Sequence, residues 1–380
     1  MIKSDGSGEF PLISALSEAN ASSVTVVMPV YNSAKYLSEA IDSVLAQEYQ
    51  LWNMLVINEF GSDDGSAAIV REYAAKDSRI RLVQNEEKLG LAESLNKGIR
   101  MAGGEYIARL DADDIALPAR FAKQVAFMDA NPDVGVCGTW QEHFGEGKWV
   151  HMPPADAEVC KAYLLFWCHM CHSTVMLRKS VFLENGLFYD RESVVEDFEL
   201  WSRAVAVTKI TNLPEVLGKY RRHGEQRVVG ERHDKVKDEF GRITARSLKR
   251  YVNYDAPAEY WDVLNAWVDV YSGARFTGRW KPTIKKLEAA LREIWLANLA
   301  ERFYRGDALL AAINSKWRWA RYRLCWQEQR RVGGIEDVFG QRCWGAGFVN
   351  FWRFIRENPT MKGKFNKIYY KLREYLHGGL

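Results

Sequence analysis

The sequence lacks a large net charge of either sign. Its 52 Lys and Arg residues nearly balance 49 Asp and Glu residues, which leaves a formal net charge of +3 over 380 residues. Nucleic-acid-binding domains concentrate positive charge on one face or along one helix. The near balance therefore argues against nucleic acid as a partner, and any basic patch must be local.

Long apolar runs and an export signal are also missing. The longest apolar stretch, Tyr163–Met176, contains two His residues and is shorter than the roughly 18 residues that a membrane-spanning helix needs. The first residues include Asp5, Glu9 and Glu18 and no compact apolar run, so we expect a poorly ordered leader over residues 1–22 rather than a signal peptide. We therefore expect a cytoplasmic protein whose six Cys residues are free thiols.

What the sequence does contain is an alternation of strand-like and helix-like segments. Its hydrophobic fraction of 47% is enough for a sizeable core and for two domains. Between the strands, apolar residues recur at helical spacing, for example at Leu91, Leu95 and Ile99. The alternation predicts an α/β fold with a mostly parallel sheet flanked by helices. The predicted strands are VTVVM (Val24–Met28), MLVIN (Met54–Asn58), IRLV (Ile80–Val83), YIARL (Tyr106–Leu110) and VGVCG (Val134–Gly138).

The residue composition of the chain changes near its middle. The second part is rich in Trp, Arg and Lys and has few β-branched runs, which predicts helices. We therefore predict an α/β domain over residues 23–235 and a helical C-terminal domain over residues 236–380.

Three polar segments follow predicted strands at the point where each strand ends. PVYN (Pro29–Asn32) follows the first strand, NEFGSDDGS (Asn58–Ser66) the second, and DADD (Asp111–Asp114) the fourth. In an open parallel sheet, ligands bind at the carboxyl ends of the strands. The three segments therefore predict one binding site at one edge of the sheet.

The DADD segment places three carboxylates, Asp111, Asp113 and Asp114, within four residues. They repel one another unless a cation lies among them, and oxygen ligands favour hard cations such as Mg²⁺ or Mn²⁺. The alternative is a turn, or an N-cap ahead of the helix that Pro118 begins. Because the segment ends a buried strand beside other polar loops, we favour a metal site.

Two later segments carry candidate chemistry. Glu196 and Asp197 open an amphipathic helix, where an acidic pair is either a cap that interacts with the helix dipole or the source of a general base. The spacing leaves both interpretations open. His223, in YRRHGEQ, is either a surface residue or part of a diphosphate and metal site.

The segment CHMCH (Cys168–His172) matches the attachment signature of c-type haem and could also form part of a zinc site. No export signal accompanies it, and no second ligand pair stands at the usual zinc spacing. We therefore interpret it as part of a buried strand or helix that lines the site.

Taken together, these segments resemble the GT-A glycosyltransferases, specifically the large bacterial family 2 of inverting enzymes. The resemblance implies a GT-A sheet with flanking helices, an Mn²⁺ or Mg²⁺ cofactor, and transfer from a nucleotide-diphosphate sugar, with UDP-sugar favoured, to an acceptor hydroxyl. It further implies a role in cell-envelope polysaccharide or glycoconjugate synthesis. Four motifs carry it in the expected order: VTVVMPVYNSAKYLSEAIDSVLAQEY, GEYIARLDADDIALPARFAKQVAFM, HSTVMLRKSVFLENGLFYDRESVVEDFELWSR and YRRH.

The resemblance also implies roles for individual residues. Asp197 would be the catalytic base, and Glu196 beside it would contact the acceptor or the donor sugar. The metal ligands would be Asp111, Asp113 and His223. The residues that would contact the donor are Pro29, Val30, Tyr31, Glu59, Asp111 and Asp113.

One loop departs from the family pattern. Where the family usually has Asp-Asp-Gly-Ser after the second strand, this chain has Asn58-Glu59-Phe60-Gly61-Ser62, with one extra residue. Glu59 can still accept hydrogen bonds from a uracil imide or a ribose, so we predict that it contacts the donor. The longer side chain and Phe60 leave the nucleotide open.

Two other functions on a related sheet stay open as alternatives. A sugar nucleotidyltransferase would need a loop rich in Gly and Lys or Arg after the first strand, which PVYN lacks. A non-catalytic sugar-binding module would not need Asp111, Asp113 and Asp197. The sequence argues against a dinucleotide oxidoreductase, because no G-x-G-x-x-G follows the first strand.

Basic and aromatic residues interleave in the second part of the chain, at residues 316–323, 352–356 and 364–371. Trp and Tyr favour the headgroup zone of a bilayer, and Lys and Arg attract anionic lipid. The pattern indicates either peripheral contact with an anionic membrane, where a lipid-linked acceptor would lie, or packing between helices. Both interpretations stay open.

Overall fold

The computed structural model describes residues 23–224, 233–257, 260, 264 and 280–316. The chain divides into two compact units, Met1–Val228 and Val229–Leu380. The predicted leader at 1–22 lies outside the described residues. So do the basic and aromatic segments beyond Lys316.

Strands and helices alternate along the first unit, as the sequence pattern predicts. Its first half contains β1 (Val24–Val30), α1 (Ala34–Leu45), β2 (Trp52–Asn58), α2 (Ser66–Lys76), β3 (Ile80–Gln84), α3 (Gly90–Met101), β4 (Tyr106–Arg109), β5 (Ile115–Ala116) and α4 (Arg120–Ala130). Its second half contains β6 (Val134–Gly145), β7 (Trp149–His151), α5 (Ala157–Tyr163), a 3₁₀ turn (His172–Thr174), β8 (Met176–Arg178), α6 (Lys179–Glu184), α7 (Glu196–Ala204) and β9 (Lys209–Arg222).

The strands form one mixed sheet in the order β3-β2-β1-β4-β8-β6-β9-β5, with β7 paired to β6. The first four strands of this order are parallel. β8 runs antiparallel to both of its neighbours, and β6 and β9 are parallel to one another. The predicted α/β class and the five predicted strands are confirmed. β8 was not predicted, because three residues are too few to show a strand period.

One face of the parallel half is covered by apolar side chains of α1 and α4. Leu37, Ile41 and Val44 on α1 are fully buried, and Phe121 and Met128 on α4 belong to the same core. Burying an apolar side chain of this size contributes about 1.5–3 kcal/mol. This packing holds β1, β2 and β4 side by side, so their carboxyl ends share one edge.

A buried arginine connects the end of β4 to the segment that precedes β8. The guanidinium of Arg120 donates to the backbone oxygens of Arg109 at 2.8 Å, Ser173 at 3.0 Å and Val175 at 3.1 Å. Burial lowers the pKa of Arg120 to about 9, and the nearby charge of Arg109 adds to this effect. A buried guanidinium is tolerated here because its donors are satisfied, and it fixes the backbone from which the DADD segment leaves the sheet.

The described part of the second unit is helical. It contains α8 (His233–Val252) and α9 (Trp280–Glu301), followed by a further helix at residues 306–316. The hydroxyl of Tyr254 donates to Glu293 of α9 at 2.5 Å, which connects the segment after α8 to α9. Across the described stretches, no helix has both the length and the apolar character that a membrane crossing requires.

Candidate functional site

The three polar segments meet at one edge of the sheet, as their positions after the strands predict. β1 pairs with β2 through Val30 and Asn58, and β1 pairs with β4 through Val27 and Arg109. The residues after these strands therefore emerge next to each other. This edge carries the largest concentration of the residues that the sequence analysis singled out.

The three carboxylates of the DADD segment form a cluster. Asp111, Asp113 and Asp114 each offer an oxygen, and these oxygens lie within 4.8 Å of one another. Asp114 is fully buried, and burial raises its pKa well above the usual range, with the charges of Asp111 and Asp113 adding to the effect. Burial also raises the pKa of Asp111, although the charge of Arg109 opposes it. A set of hard oxygen donors under mutual repulsion fits Mg²⁺ or Mn²⁺.

The structure argues against the helix-cap interpretation of this cluster. Helix α4 has Ala119 at its N-cap position and no side-chain cap. Asp111 instead forms an ion pair with Arg109, and its backbone N–H donates to Oγ of Ser173 at 2.9 Å. The backbone N–H of Asp114 donates to the Asp111 carbonyl at 3.3 Å, so the segment is a turn with its carboxylates gathered on one side.

The end of β9 reaches the same turn. Nε2 of His223 lies 3.1 Å from Oδ2 of Asp113. The backbone N–H of Arg221 donates to Oδ1 of Asp114 at 2.9 Å, and Nε of Arg221 donates to the Asp113 carbonyl at 2.9 Å. In the sequence alone, His223 is weak evidence for a metal site. In the structure, its side chain contacts Asp113, a candidate metal ligand.

Asp197 lies at the beginning of α7, beside the same cluster. Its Oδ1 accepts the backbone N–H of Phe198 at 2.7 Å, and its Oδ2 accepts the thiol of Cys168 at 3.3 Å. Burial raises the pKa of Asp197, while these hydrogen bonds and the charge of Arg109 oppose the increase. The N-cap of α7 is Val195, so Asp197 does not cap the helix. Glu196 is half-buried beside it.

Arg109 is the main site residue that the sequence analysis missed. Arg109 forms the ion pair with Asp111. Its positive charge also stabilises the charged form of Asp197, so it interacts with both candidate functional carboxylates. The one available signal was a charged residue near the end of the apolar strand YIARL. Its side chain is almost completely buried.

The donor-side residues differ in their accessibility. Tyr31 is 53% exposed and Phe60 is 52% exposed, so both rings are open to a ligand. Pro29 is half-buried and Val30 is buried. The loops that carry them are tied together, because the backbone N–H of Asn32 donates to Oγ of Ser62 at 3.1 Å.

Glu59 is buried and already has several partners. Its Oε1 accepts the backbone N–H groups of Phe60 at 2.8 Å and Leu89 at 3.0 Å, and its Oε2 accepts that of Gly90 at 2.5 Å. Glu59 therefore satisfies backbone donors at the beginning of α3, where a negative charge also interacts favourably with the helix dipole. Its contact with the donor stays a prediction.

Replacing Glu59 by Ala should lower the free energy of unfolding by about 1–3 kcal/mol, because three part-buried backbone donors lose their acceptor. The change is measured by urea denaturation at pH 7. Glu87→Ala, an exposed residue on the neighbouring loop, is the control and should leave the midpoint unchanged. An unchanged midpoint for Glu59→Ala together with a strongly raised donor KM would show that Glu59 serves the donor and not the helix.

The middle of the CHMCH segment lies inside the protein, and its two ends, Cys168 and His172, are half-buried. His169, Met170 and Cys171 are buried. Within the described residues, the one group of three or more His, Cys, Asp or Glu side chains arranged to hold a metal is the Asp cluster. The four Cys residues in the described part of the chain are free thiols.

Comparisons with known proteins agree with this geometry. The profile described as Glycosyl transferase family 2 matches residues 25–186. An uncharacterized glycosyltransferase of Haemophilus influenzae is 30% identical over 244 residues, which is 61% of this chain and 73% of the relative. An uncharacterized glycosyltransferase of Methanocaldococcus jannaschii is 35% identical over 205 residues, 52% of this chain and 70% of the relative.

Among solved structures, the chain is similar to residues 1–349 of S. aureus TarS in complex with UDP-GlcNAc. The TM-score is 0.53 at 19% sequence identity, and the match covers 83% of this chain and 93% of that chain. At this identity the likeness concerns the fold.

Proposed function

Because this chain belongs to glycosyl transferase family 2, we propose that it transfers a sugar from a nucleotide-diphosphate donor to an acceptor hydroxyl with inversion and with a divalent metal. One observation carries the proposal. A cluster of three carboxylates suited to a cation lies at the same edge of the sheet as Asp197, which is close enough to raise the pKa of Asp111.

The donor would bind across the carboxyl ends of β1 and β2. The exposed ring of Tyr31 can stack on a nucleobase, with Pro29 and Val30 beside it. Asp111, Asp113 and His223 would hold Mn²⁺ or Mg²⁺ against the diphosphate, with Asp114 behind them. When bound, the cation supplies positive charge that stabilises the developing diphosphate anion. We favour a UDP-sugar, and TarS, which shares the fold, is known in complex with UDP-GlcNAc.

The acceptor would approach Asp197 from the opposite side of the donor sugar. Asp197 accepts the proton of the acceptor hydroxyl, and the hydroxyl oxygen forms a bond to the anomeric carbon. The bond from that carbon to the diphosphate oxygen breaks with both electrons, and a nucleoside diphosphate leaves. Attack in line with the leaving group inverts the anomeric centre. Glu196 beside Asp197 would contact the acceptor or the donor sugar.

A donor screen tests the proposal. The protein is incubated with Mn²⁺, a set of saccharide acceptors and a panel of UDP-, GDP- and dTDP-sugars, and release of nucleoside diphosphate is measured. Release from at least one nucleotide sugar, with formation of a glycosidic product, is the expected result. A sugar nucleotidyltransferase would release no nucleoside diphosphate from these donors. It would instead release pyrophosphate in a parallel incubation with a nucleoside triphosphate and a sugar phosphate, so the two incubations separate the two functions.

We also propose that the acceptor belongs to cell-envelope polysaccharide or glycoconjugate synthesis and that the protein contacts an anionic membrane peripherally. The support is the interleaving of basic and aromatic residues in the second part of the chain. The protein should co-sediment with vesicles that contain anionic lipid at low salt and should be released at high salt. Equal recovery in the supernatant with anionic and with zwitterionic vesicles would rule out the contact.

A further inference from the structure

Cys168 lies against the carboxylate of Asp197. Its Sγ is 3.3 Å from Oδ2 of Asp197, and the two residues are 29 positions apart in the chain. Burial raises the pKa of the Cys168 thiol well above the usual range, and the charge of Asp197 adds to the increase. The thiol is therefore protonated at neutral pH and can donate a hydrogen bond, although a weak one.

The carboxylate of Asp197 is held at both oxygens. The backbone N–H of Phe198 donates to Oδ1 at 2.7 Å, and Cys168 donates to Oδ2. The two hydrogen bonds together fix the plane of the carboxylate. A general base must stay within hydrogen-bond reach of the proton it removes, and small displacements of a catalytic group are costly.

We propose that Cys168 is a positioning residue that holds Oδ2 of Asp197 while this carboxylate takes the proton of the acceptor hydroxyl. The inference rests on the proposed role of Asp197 as the base. A hydrogen bond to a carboxylate favours its charged form and so weakens it as a base. The weak S–H donor therefore orients Asp197 with a smaller loss of basicity than a hydroxyl would cause.

Other charged or titratable groups also face this carboxylate, namely Arg109, Asp111 and Tyr189, with Glu196 adjacent in the chain. They are unchanged in variants of Cys168. A difference between such variants therefore reports on the thiol.

Cys168→Ala removes the donor, and Cys168→Ser replaces it with a stronger one. We expect kcat to fall about 3- to 10-fold in Cys168→Ala, the loss of one modest hydrogen bond, with an unchanged donor KM and recovery of kcat in Cys168→Ser. The rate is lost as the pH falls through the pKa of the base. The acid limb of the kcat profile should therefore lie at higher pH in Cys168→Ala and at lower pH in Cys168→Ser than in wild type.

Cys171→Ala is the matched control, because it removes a buried thiol from the same segment, and it should leave the acid limb in place. Identical acid limbs in wild type, Cys168→Ala and Cys168→Ser would overturn the inference, as would a failure of Ser to restore kcat. If Cys168→Ala does not fold, the shift of the acid limb in Cys168→Ser alone decides.

Asp197→Asn is assayed in parallel to test the proposed base. If it is inactive and Cys168→Ala matches wild type, only the positioning role fails, whereas full activity of Asp197→Asn overturns the proposed base itself.

Discussion

Asp113→Asn should abolish sugar transfer while the protein stays folded. The substitution removes an anionic ligand from a cluster whose oxygens lie within 4.8 Å of one another and leaves His223 without its charged partner. A bound cation contributes several kcal/mol of transition-state stabilisation, so we expect kcat/KM to fall about 10³-fold or more. Transfer assays across a manganese titration measure the effect.

The matched control is Asp133→Asn, an exposed carboxylate that forms an ion pair with Lys209 away from the DADD segment. It should keep wild-type activity and the wild-type requirement for manganese. If Asp113→Asn retained full activity at low manganese, Asp113 would not be a metal ligand.

Asp197→Asn should lower kcat by about 10²–10⁴-fold, the range typical for loss of a general base. The amide keeps the shape of the carboxylate but cannot accept the acceptor proton. Donor affinity should change little, because this side chain faces the acceptor in the proposed geometry. Binding of the donor and single-turnover transfer are measured separately.

Asp190→Asn, an exposed position in the loop before α7, is the control for Asp197→Asn. A collapse of donor affinity in Asp197→Asn, with normal turnover of the donor that still binds, would show that Asp197 belongs to the donor site. As the pH is lowered, the wild-type rate should begin to fall at a higher pH than it would with an ordinary carboxyl group as the base, because burial raises the pKa of Asp197.

The parallel half of the fold could be predicted because its signals are local. β1 and β2 are mostly apolar runs, and α1 and α3 have apolar residues at helical spacing, so each element is visible in its own segment. β8 was not visible, because it has three residues. Its antiparallel position between β4 and β6 depends on pairing across distant parts of the chain.

The candidate site could be predicted where a motif ends a strand. Asp111 and Asp113 follow β4, and the rule that ligands bind at the carboxyl ends of parallel strands places them correctly. Contacts between distant segments could not be predicted in the same way. The Cys168–Asp197 hydrogen bond and the approach of His223 to Asp113 each join residues far apart in sequence.

Glu59 shows the limit of reasoning from a motif. Its position after β2 indicates a contact with the donor, but its carboxylate has only two oxygens that can accept hydrogen bonds. In the structure, both oxygens accept backbone N–H groups near the beginning of α3. Satisfying buried backbone donors is a competing demand that the sequence pattern does not reveal.

The central claim is that this chain transfers sugar with a divalent metal held by the Asp cluster. The most direct measurement follows acceptor-dependent release of nucleoside diphosphate by the wild-type protein with Mn²⁺, then in excess chelator, and then after Mn²⁺ or Mg²⁺ is restored. The account predicts release with the metal, loss of release in chelator and recovery when the metal returns. Full release in excess chelator would contradict it.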